Sequence, residues 1–190
     1  MQQTSIIGLG SSKFEALAYI ANQPLENLRL HFVDTVQARK TPAHITSHLI
    51  GKHLTNGLGC AGDARLGQKA AVESTDTLWS LIPAKGKVIL LASMAGGTGA
   101  GLLPTMLRLA KEKKTDTHAI VTLPLIVEGQ QRKLAAINNL KAIGDYSDQL
   151  IVIKQDSLQN YLSALATADQ IEMFNLFTKI SAWKALSLLF

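Results

Sequence analysis

The feature that most constrains this chain is an apolar run, Lys87-Val88-Ile89-Leu90-Leu91-Ala92, that leads into Met94-Ala95-Gly96-Gly97-Thr98-Gly99-Ala100-Gly101 and then into a helical stretch at 102–113. A strand apolar on both faces belongs in the centre of a parallel sheet. Parallel pairing in turn demands crossover connections, usually helices, that cover both faces. The rest of the chain should therefore alternate strand and helix, and it does. Residues 4–9 read as a strand ending in Gly8-Leu9-Gly10, and 12–21 as a helix carrying Phe14, Leu17, Ala18 and Ile20. Residues 28–33 alternate with period two. Between 36 and 56 Pro42 interrupts a weak signal, and 45–50 fits either a strand or a short helix. Residues 57–67, with Gly57, Gly59, Gly62 and Gly67, are expected as loop, and 68–81 as a helix burying Ala70, Ala71, Thr75, Leu78 and Leu81. Strands at 117–123 and 150–153, helices at 130–143 and 157–165, and a long apolar helix from 169 to about 188 complete the series. The expectation is one α/β domain, 1–190, with a parallel sheet and helices on both faces.

Composition supports a packed core. Of 190 residues 47% are apolar and 17% charged, which excludes a disordered chain. No apolar run approaches the ~18 residues of a membrane span. The opening Met1-Gln2-Gln3-Thr4-Ser5 has no charged segment or cleavage site, so no signal peptide is expected. The single cysteine, Cys60, excludes an internal disulfide framework and fits a reducing cytoplasm. A net charge of +5 suggests anionic ligands or partners. Lysines and arginines are scattered, however, and aromatics are only 5%, so nucleic acid is not the expected partner.

In an open parallel sheet ligands bind beyond the carboxyl ends of the strands. Three glycine-rich segments fall there: 8–10, 57–62 and 96–101. Glycine lets backbone approach a ligand closely, its N–H groups can cradle phosphate oxygens, and the third segment also feeds a helix N-terminus. Together they argue for a nucleotide with a polyphosphate tail. A Walker A loop is excluded because no lysine follows the glycines at its spacing. Gly8-Leu9-Gly10-Ser11-Ser12-Lys13 lacks the third glycine of a dinucleotide fingerprint, although Asp34 ends the second strand as that motif requires.

Met94-Ala95-Gly96-Gly97-Thr98-Gly99-Ala100-Gly101, followed by Leu102-Leu103-Pro104, resembles the Gly-Gly-Gly-Thr-Gly-Thr-Gly signature of the tubulin and FtsZ superfamily, with two positions changed to alanine. Further matches fall in family order. Gly57-Leu58-Gly59-Cys60-Ala61-Gly62-Asp63 is similar to the loop that closes over the terminal phosphate. Glu128-Gly129-Gln130-Gln131-Arg132 is similar to the Glu-Gly-Lys-Lys-Arg element on the ribose side, and 148–158 to the strand and loop before the central helix. Asp169, Asn175 and Lys179 have the spacing of Asp, Asn and Lys in that helix. The resemblance implies a three-layer Rossmann-like sheet of the tubulin/FtsZ type, reduced to the N-terminal domain and ending in the central helix. It also implies a cytoplasmic, bacterial protein of a cytoskeletal or cell-division filament system. GTP or GDP would bind with Mg²⁺ held through phosphates and water.

The residues it places at the nucleotide are Gly8, Gly10, Ser11, Glu15, Cys60, Ala61, Gly62, Ala95, Gly96, Gly97, Thr98, Gly99, Glu128, Arg132 and Asn175. Backbone N–H groups of 96–101 would hold the diphosphate with the Thr98 hydroxyl. Cys60, Ala61 and Gly62 would meet the terminal phosphate and Mg²⁺-bound water, and Glu128 would accept from ribose hydroxyls.

Departures from the family carry expectations of their own. Lys13 and Phe14 stand where the family has glycines, and their bulk is expected to crowd the nucleotide. Glu15 replaces an asparagine near the base and is expected to accept from the guanine N1–H and 2-amino groups. Leu176 follows Asn175 where the family has the aspartate that reads guanine. The family's acidic catalytic loop and second domain follow the central helix and are not among these 190 residues, so at most weak GTPase activity is expected of the chain alone. The apolar terminal helix, with Ile171, Phe174, Phe177, Ile180, Trp183, Leu186, Leu189 and Phe190, is expected either to fold over its own sheet or to meet a partner. That partner would be a second copy or a full-length FtsZ-like protein. The alternative function is a scaffold that has lost nucleotide binding and works through this helix. His44 and His48 share an i, i+4 spacing near His53 but have no further ligand at metal-site spacing, so surface histidines are expected.

Overall fold

The computed structural model describes residues 3–37, 40–156 and 170–189. Among them six strands form one parallel sheet: β1 (Gln3–Leu9), β2 (Leu28–Asp34), β3 (Ile45–Leu49), β4 (Gly86–Ser93), β5 (Asp116–Leu123) and β6 (Gln149–Lys154), in the order β3-β2-β1-β4-β5-β6. The helices are α1 (Phe14–Ala21), α2 (Lys52–Thr55), α3 (Ala64–Glu73), α4 (Thr75–Leu81), α5 (Gly97–Glu112), α6 (Gln130–Lys141) and α7 (Gln170–Ser187). The chain runs outward from β1 to β3 and returns to the centre at β4, so the direction of winding reverses between β1 and β4. Ligand crevices open at that reversal.

The period-two alternation of the central strands divides the core. Ile7, Leu9, Val88, Leu90 and Ala92 face one side, where Ala70, Ala71, Leu102, Leu103 and Met106 of α3 and α5 cover them. Ile6, Ile89 and Leu91 face the other, against Ala16, Leu17 and Ile20 of α1 and Ala182 and Ala185 of α7. Truncating a fully buried leucine such as Leu90 to alanine removes both transfer energy and packing, about 2–5 kcal/mol.

Several elements differ from the sequence reading, each for a local reason. Of residues 45–50, 45–49 form strand β3, paired with β2 from Leu30↔Ile45 to Asp34↔Leu49. The expected helix 68–81 is two helices. Ser74 Oγ accepts from Gly51 N–H at 3.0 Å, and Thr75 turns its hydroxyl to the Val72 carbonyl at 2.8 Å, leaving Thr75 only partly buried. Gly67 lies inside α3 rather than in a loop, because a Cβ there would sit 2.3 Å from the Gly97 carbonyl oxygen. The helix after β4 starts five residues early and absorbs the glycines of 97–101. The expected helix 157–165 and the side chains of Ile171, Phe174, Phe177 and Phe190 lie outside the described residues. In its described half α7 folds over its own sheet, burying Ser181, Ala182 and Ala185 against the α1 face. Trp183 stays 49% exposed and donates to the Tyr19 hydroxyl at 3.0 Å. Among the described residues no helix is long and apolar enough to cross a membrane.

Candidate nucleotide site

The first wall of the crevice is backbone. After β1, Gly10 takes φ 79°, donates to the Val33 carbonyl at 2.8 Å, and lies so close to α5 that a Cβ would stand 3.0 Å from Gly99 N. After β4, Gly96 enters α5 extended and no side chain caps the helix. The first N–H groups of a helix have no intrahelical partner, and the helix dipole favours an anion there. Gly97 and Gly99 are wedged: a Cβ on Gly97 would meet Asp63 N and Cys60 Cβ at 2.8 Å, and one on Gly99 would meet the Leu9 carbonyl oxygen at 2.7 Å.

The third side is the turn before α3. Gly57, Gly59, Ala61 and Gly62 all have positive φ, which curls the backbone around the buried Cys60. Asp63 N–H donates to the Cys60 carbonyl at 2.7 Å, and Asp63 Oδ1 caps α3 by accepting from Arg65 N–H at 2.8 Å. Beneath lies a hydroxyl cluster in which Thr35 Oγ1 is 2.7 Å from Thr98 Oγ1 and 3.4 Å from Cys60 Sγ. Ser11 Oγ donates to Asp34 Oδ2 at 2.5 Å, while Asp34 Oδ1 accepts from Thr35 N–H at 2.7 Å. These pieces enclose a cleft of about 260 Å³ in which Gly10, Ser11, Cys60, Ala61, Gly62, Gly96, Gly97, Thr98 and Gly99 meet.

A second cleft of about 250 Å³ shares Ser12, Ser93 and Gly96 with the first and continues to Ala95, Glu128, Arg132 and Ser181. Glu128 accepts from Leu125 N–H at 2.8 Å and from Arg132 Nη1 at 2.7 Å, an arrangement fixed by Gly129 at φ 95° and the start of α6. Its carboxylate keeps lone pairs for further donors. The floor is Lys13, whose Nζ donates to Thr122 Oγ1 at 2.7 Å; burial pushes this amine from 10.5 down to about 7.

The structure thus brings together most of the residues singled out in the sequence, with four exceptions. Gly8 lies within β1 and lines neither cleft; a Cβ there would collide with Leu17 of α1 at 2.6 Å, so its task is packing. The Thr98 hydroxyl turns inward to Thr35, leaving its backbone N–H to the cleft. Glu15 is exposed in a third cleft with Phe14 and Phe32, which meets the first at Ser11, Asp34 and Val36 but does not include Glu128 or Arg132. The side chain of Asn175 lies outside the described residues. Neither Lys13 nor Phe14 lines the first cleft, since Phe14 stacks edge-on against Phe32 with centroids 5.1 Å apart and Lys13 dives beneath the second cleft. Sequence reasoning missed Thr35 and Thr122, whose only signal is a hydroxyl at a strand's carboxyl end. It also missed His31, which pairs with His48 across β2 and β3 at 3.2 Å.

Comparison with known proteins agrees with this geometry. Residues 13–163 match the Tubulin/FtsZ family, GTPase domain. The chain is 32% identical over 162 residues to the cell division protein FtsZ of Coxiella burnetii, covering 84% of this chain and 42% of that protein. It is 41% identical over 110 residues to FtsZ of Helicobacter pylori, covering 58% and 29%. It therefore spans less than half the length of these curated relatives. Among solved structures, an empty FtsZ dimer of M. jannaschii superposes with a TM-score of 0.86 at 26% identity, over 96% of this chain and 52% of that one. A GTPγS-bound protofilament of CetZ2 from Haloferax volcanii shares the fold, with a TM-score of 0.82 at 22% identity over 98% and 58%. The uncapped start of α5 facing Gly10 across a cleft, with match and superposition over most of its length, places this chain in the Tubulin/FtsZ family as a GTPase domain.

Proposed function

We propose that the chain binds a guanine nucleoside di- or triphosphate at this crevice and serves, in the cytoplasm, an FtsZ-like filament system. The observation that carries the reading is the cradle of Gly10, Gly97 and Gly99, where backbone packs so tightly that only glycine fits and helix N–H groups are left for an anion. The diphosphate lies in the first cleft, and Glu128 takes ribose hydroxyls in the second. A Cβ on Gly62 would meet nothing within 4 Å, which leaves room for Mg²⁺ carried on phosphate oxygens with its water shell. Bound there, the cation would neutralise phosphate charge.

Hydrolysis by these 190 residues alone is slow. Asp34 is the only carboxylate lining the phosphate cleft among the described residues, and it already accepts from Ser11 and Thr35. A group that orients the attacking water has to come from elsewhere, such as a neighbouring subunit. The exposed Trp183 side of α7 suits contact with a second copy or with a full-length FtsZ-like protein.

Isothermal titration with GTP, GDP and ATP, each with Mg²⁺, tests the reading; selective heat with guanine nucleotides is expected, and no heat with any of them sinks it. Rapid phosphate release by the chain alone overturns the slow-hydrolysis part. Sedimentation with FtsZ tests the filament part, where an unchanged polymer mass and length counts against it. A scaffold without nucleotide is the second reading, favoured by Glu15 standing apart from Glu128 and by a lysine buried beneath the cleft.

A further inference from the structure

Lys13 is the one cation buried among the described residues. Its side chain runs beneath the second cleft to Thr122, at the carboxyl end of β5. Among the described residues no carboxylate pairs with it. Glu128 is held by Arg132 and Leu125 N–H, Asp34 by Ser11 and Thr35, and Asp156 accepts from Ile126 N–H at 2.7 Å. Glu15 is exposed in the third cleft, and the positions that line the second cleft on β4 (Ser93), just after β6 (Gln155) and on α7 (Ser181) are uncharged. Desolvation by burial drives the amine down to about 7. An ammonium carries three donors and Thr122 takes one, so two remain for whatever enters from above.

We propose that Lys13 is the cationic contact of this site: when a nucleoside di- or triphosphate fills the crevice, the amine takes up one proton from solvent and its ammonium, while keeping Thr122, donates to an anionic phosphate oxygen at the junction of the two clefts, where both are lined by Ser12, Ser93 and Gly96. The inference rests on the nucleotide reading above and adds a residue and a proton to it. The ligand supplies the missing negative charge, so binding restores the lysine to its ordinary charged state. Nucleotide affinity then falls as the solution becomes more alkaline, because each binding event needs a proton that is harder to obtain.

The test is calorimetry of GDP with Mg²⁺ at pH 8 in HEPES and in Tris, whose ionisation heats differ. An amine titrating at about 7 is roughly nine-tenths neutral at pH 8, so uptake of about 0.9 proton per GDP is expected, and Kd weakens about five-fold from pH 7 to pH 8. In Lys13→Met the buffer dependence disappears and Kd rises at least ten-fold, while the melting temperature of the unliganded variant does not fall, since a desolvated amine has been removed. Binding by the wild-type chain with equal heats in both buffers overturns the proposal, whatever the variant does. So does Lys13→Met retaining the same proton uptake. If the wild-type chain binds no GDP, GTP or ATP, the nucleotide reading fails and this inference with it, an outcome distinct from binding without a proton.

Discussion

The two halves of the crevice are built from different materials. Over the first cleft, where the phosphates are proposed to bind, the lining groups are mostly backbone, locked by contacts that a single methyl would spoil at Gly97 or Gly99. Over the second cleft they are side chains from separate elements: Lys13 ahead of α1, Thr122 on β5, Glu128 and Arg132 around the start of α6. Backbone sites tolerate no change of volume, whereas side-chain sites can change chemistry while the fold persists. On the proposed reading, that difference lets the chain keep its glycine cradle while its side-chain contacts to the nucleotide change.

The sharpest way to test the contrast is Gly97→Ala. Its Cβ falls 2.8 Å from both Asp63 N and Cys60 Cβ, so α5 and the Cys60 turn must part. A stability loss of about 2–3 kcal/mol in urea melts is expected, with nucleotide affinity lowered more than ten-fold by calorimetry. Normal stability and binding would refute the idea that the cradle is locked. Next comes Thr35→Val, which leaves the buried Thr98 hydroxyl without its partner and should cost about 1–2 kcal/mol. Glu128→Gln probes the other half. Its ion pair is largely exposed, so stability should change by less than about 0.5 kcal/mol. Nucleotide affinity should nonetheless fall about three- to ten-fold if the carboxylate holds the ribose. A destabilised Glu128→Gln would erase the distinction between the two halves.

The smallest effect lies away from both. Burial, His48 and Arg29 push His31 from 6.5 down to about 4. The unfolded chain therefore binds more protons than the folded one between these values, and stability is lost as pH falls from about 6.5 towards 4. Thermal melts across that range should show the slope, and His31→Phe should flatten it while leaving nucleotide binding unchanged.

The same division decided what could be read from sequence. The parallel sheet was legible because Val88 to Ala92 are apolar on both faces, and the phosphate cradle because glycines at 96, 97, 99 and 101 stand out in any context. The start of α5 was not, since glycine-rich sequence reads as loop, and only packing of Gly67 and Gly101 between α3 and α5 makes those residues helical. His48 suggested a helical pair with His44, but register with β2 sets it beside His31 instead. Lys13 was seen as bulk; that its stem fits under the cleft and reaches Thr122, 109 residues away, is a tertiary fact. Glu15 is expected at the base from its position in the chain; the turn at 11–13 starts α1 with that residue in a third cleft, which meets the first at Ser11, Asp34 and Val36.

Cys60 carries a practical consequence. It is the chain's only thiol, 3% exposed, held under the Ala61–Gly62 turn beside Thr35. A sulfhydryl reagent can reach it only when that turn lifts, so the labelling rate is a clock for the opening of the phosphate cleft. No engineered probe is required: slower labelling with ligand present would time how long the turn stays shut.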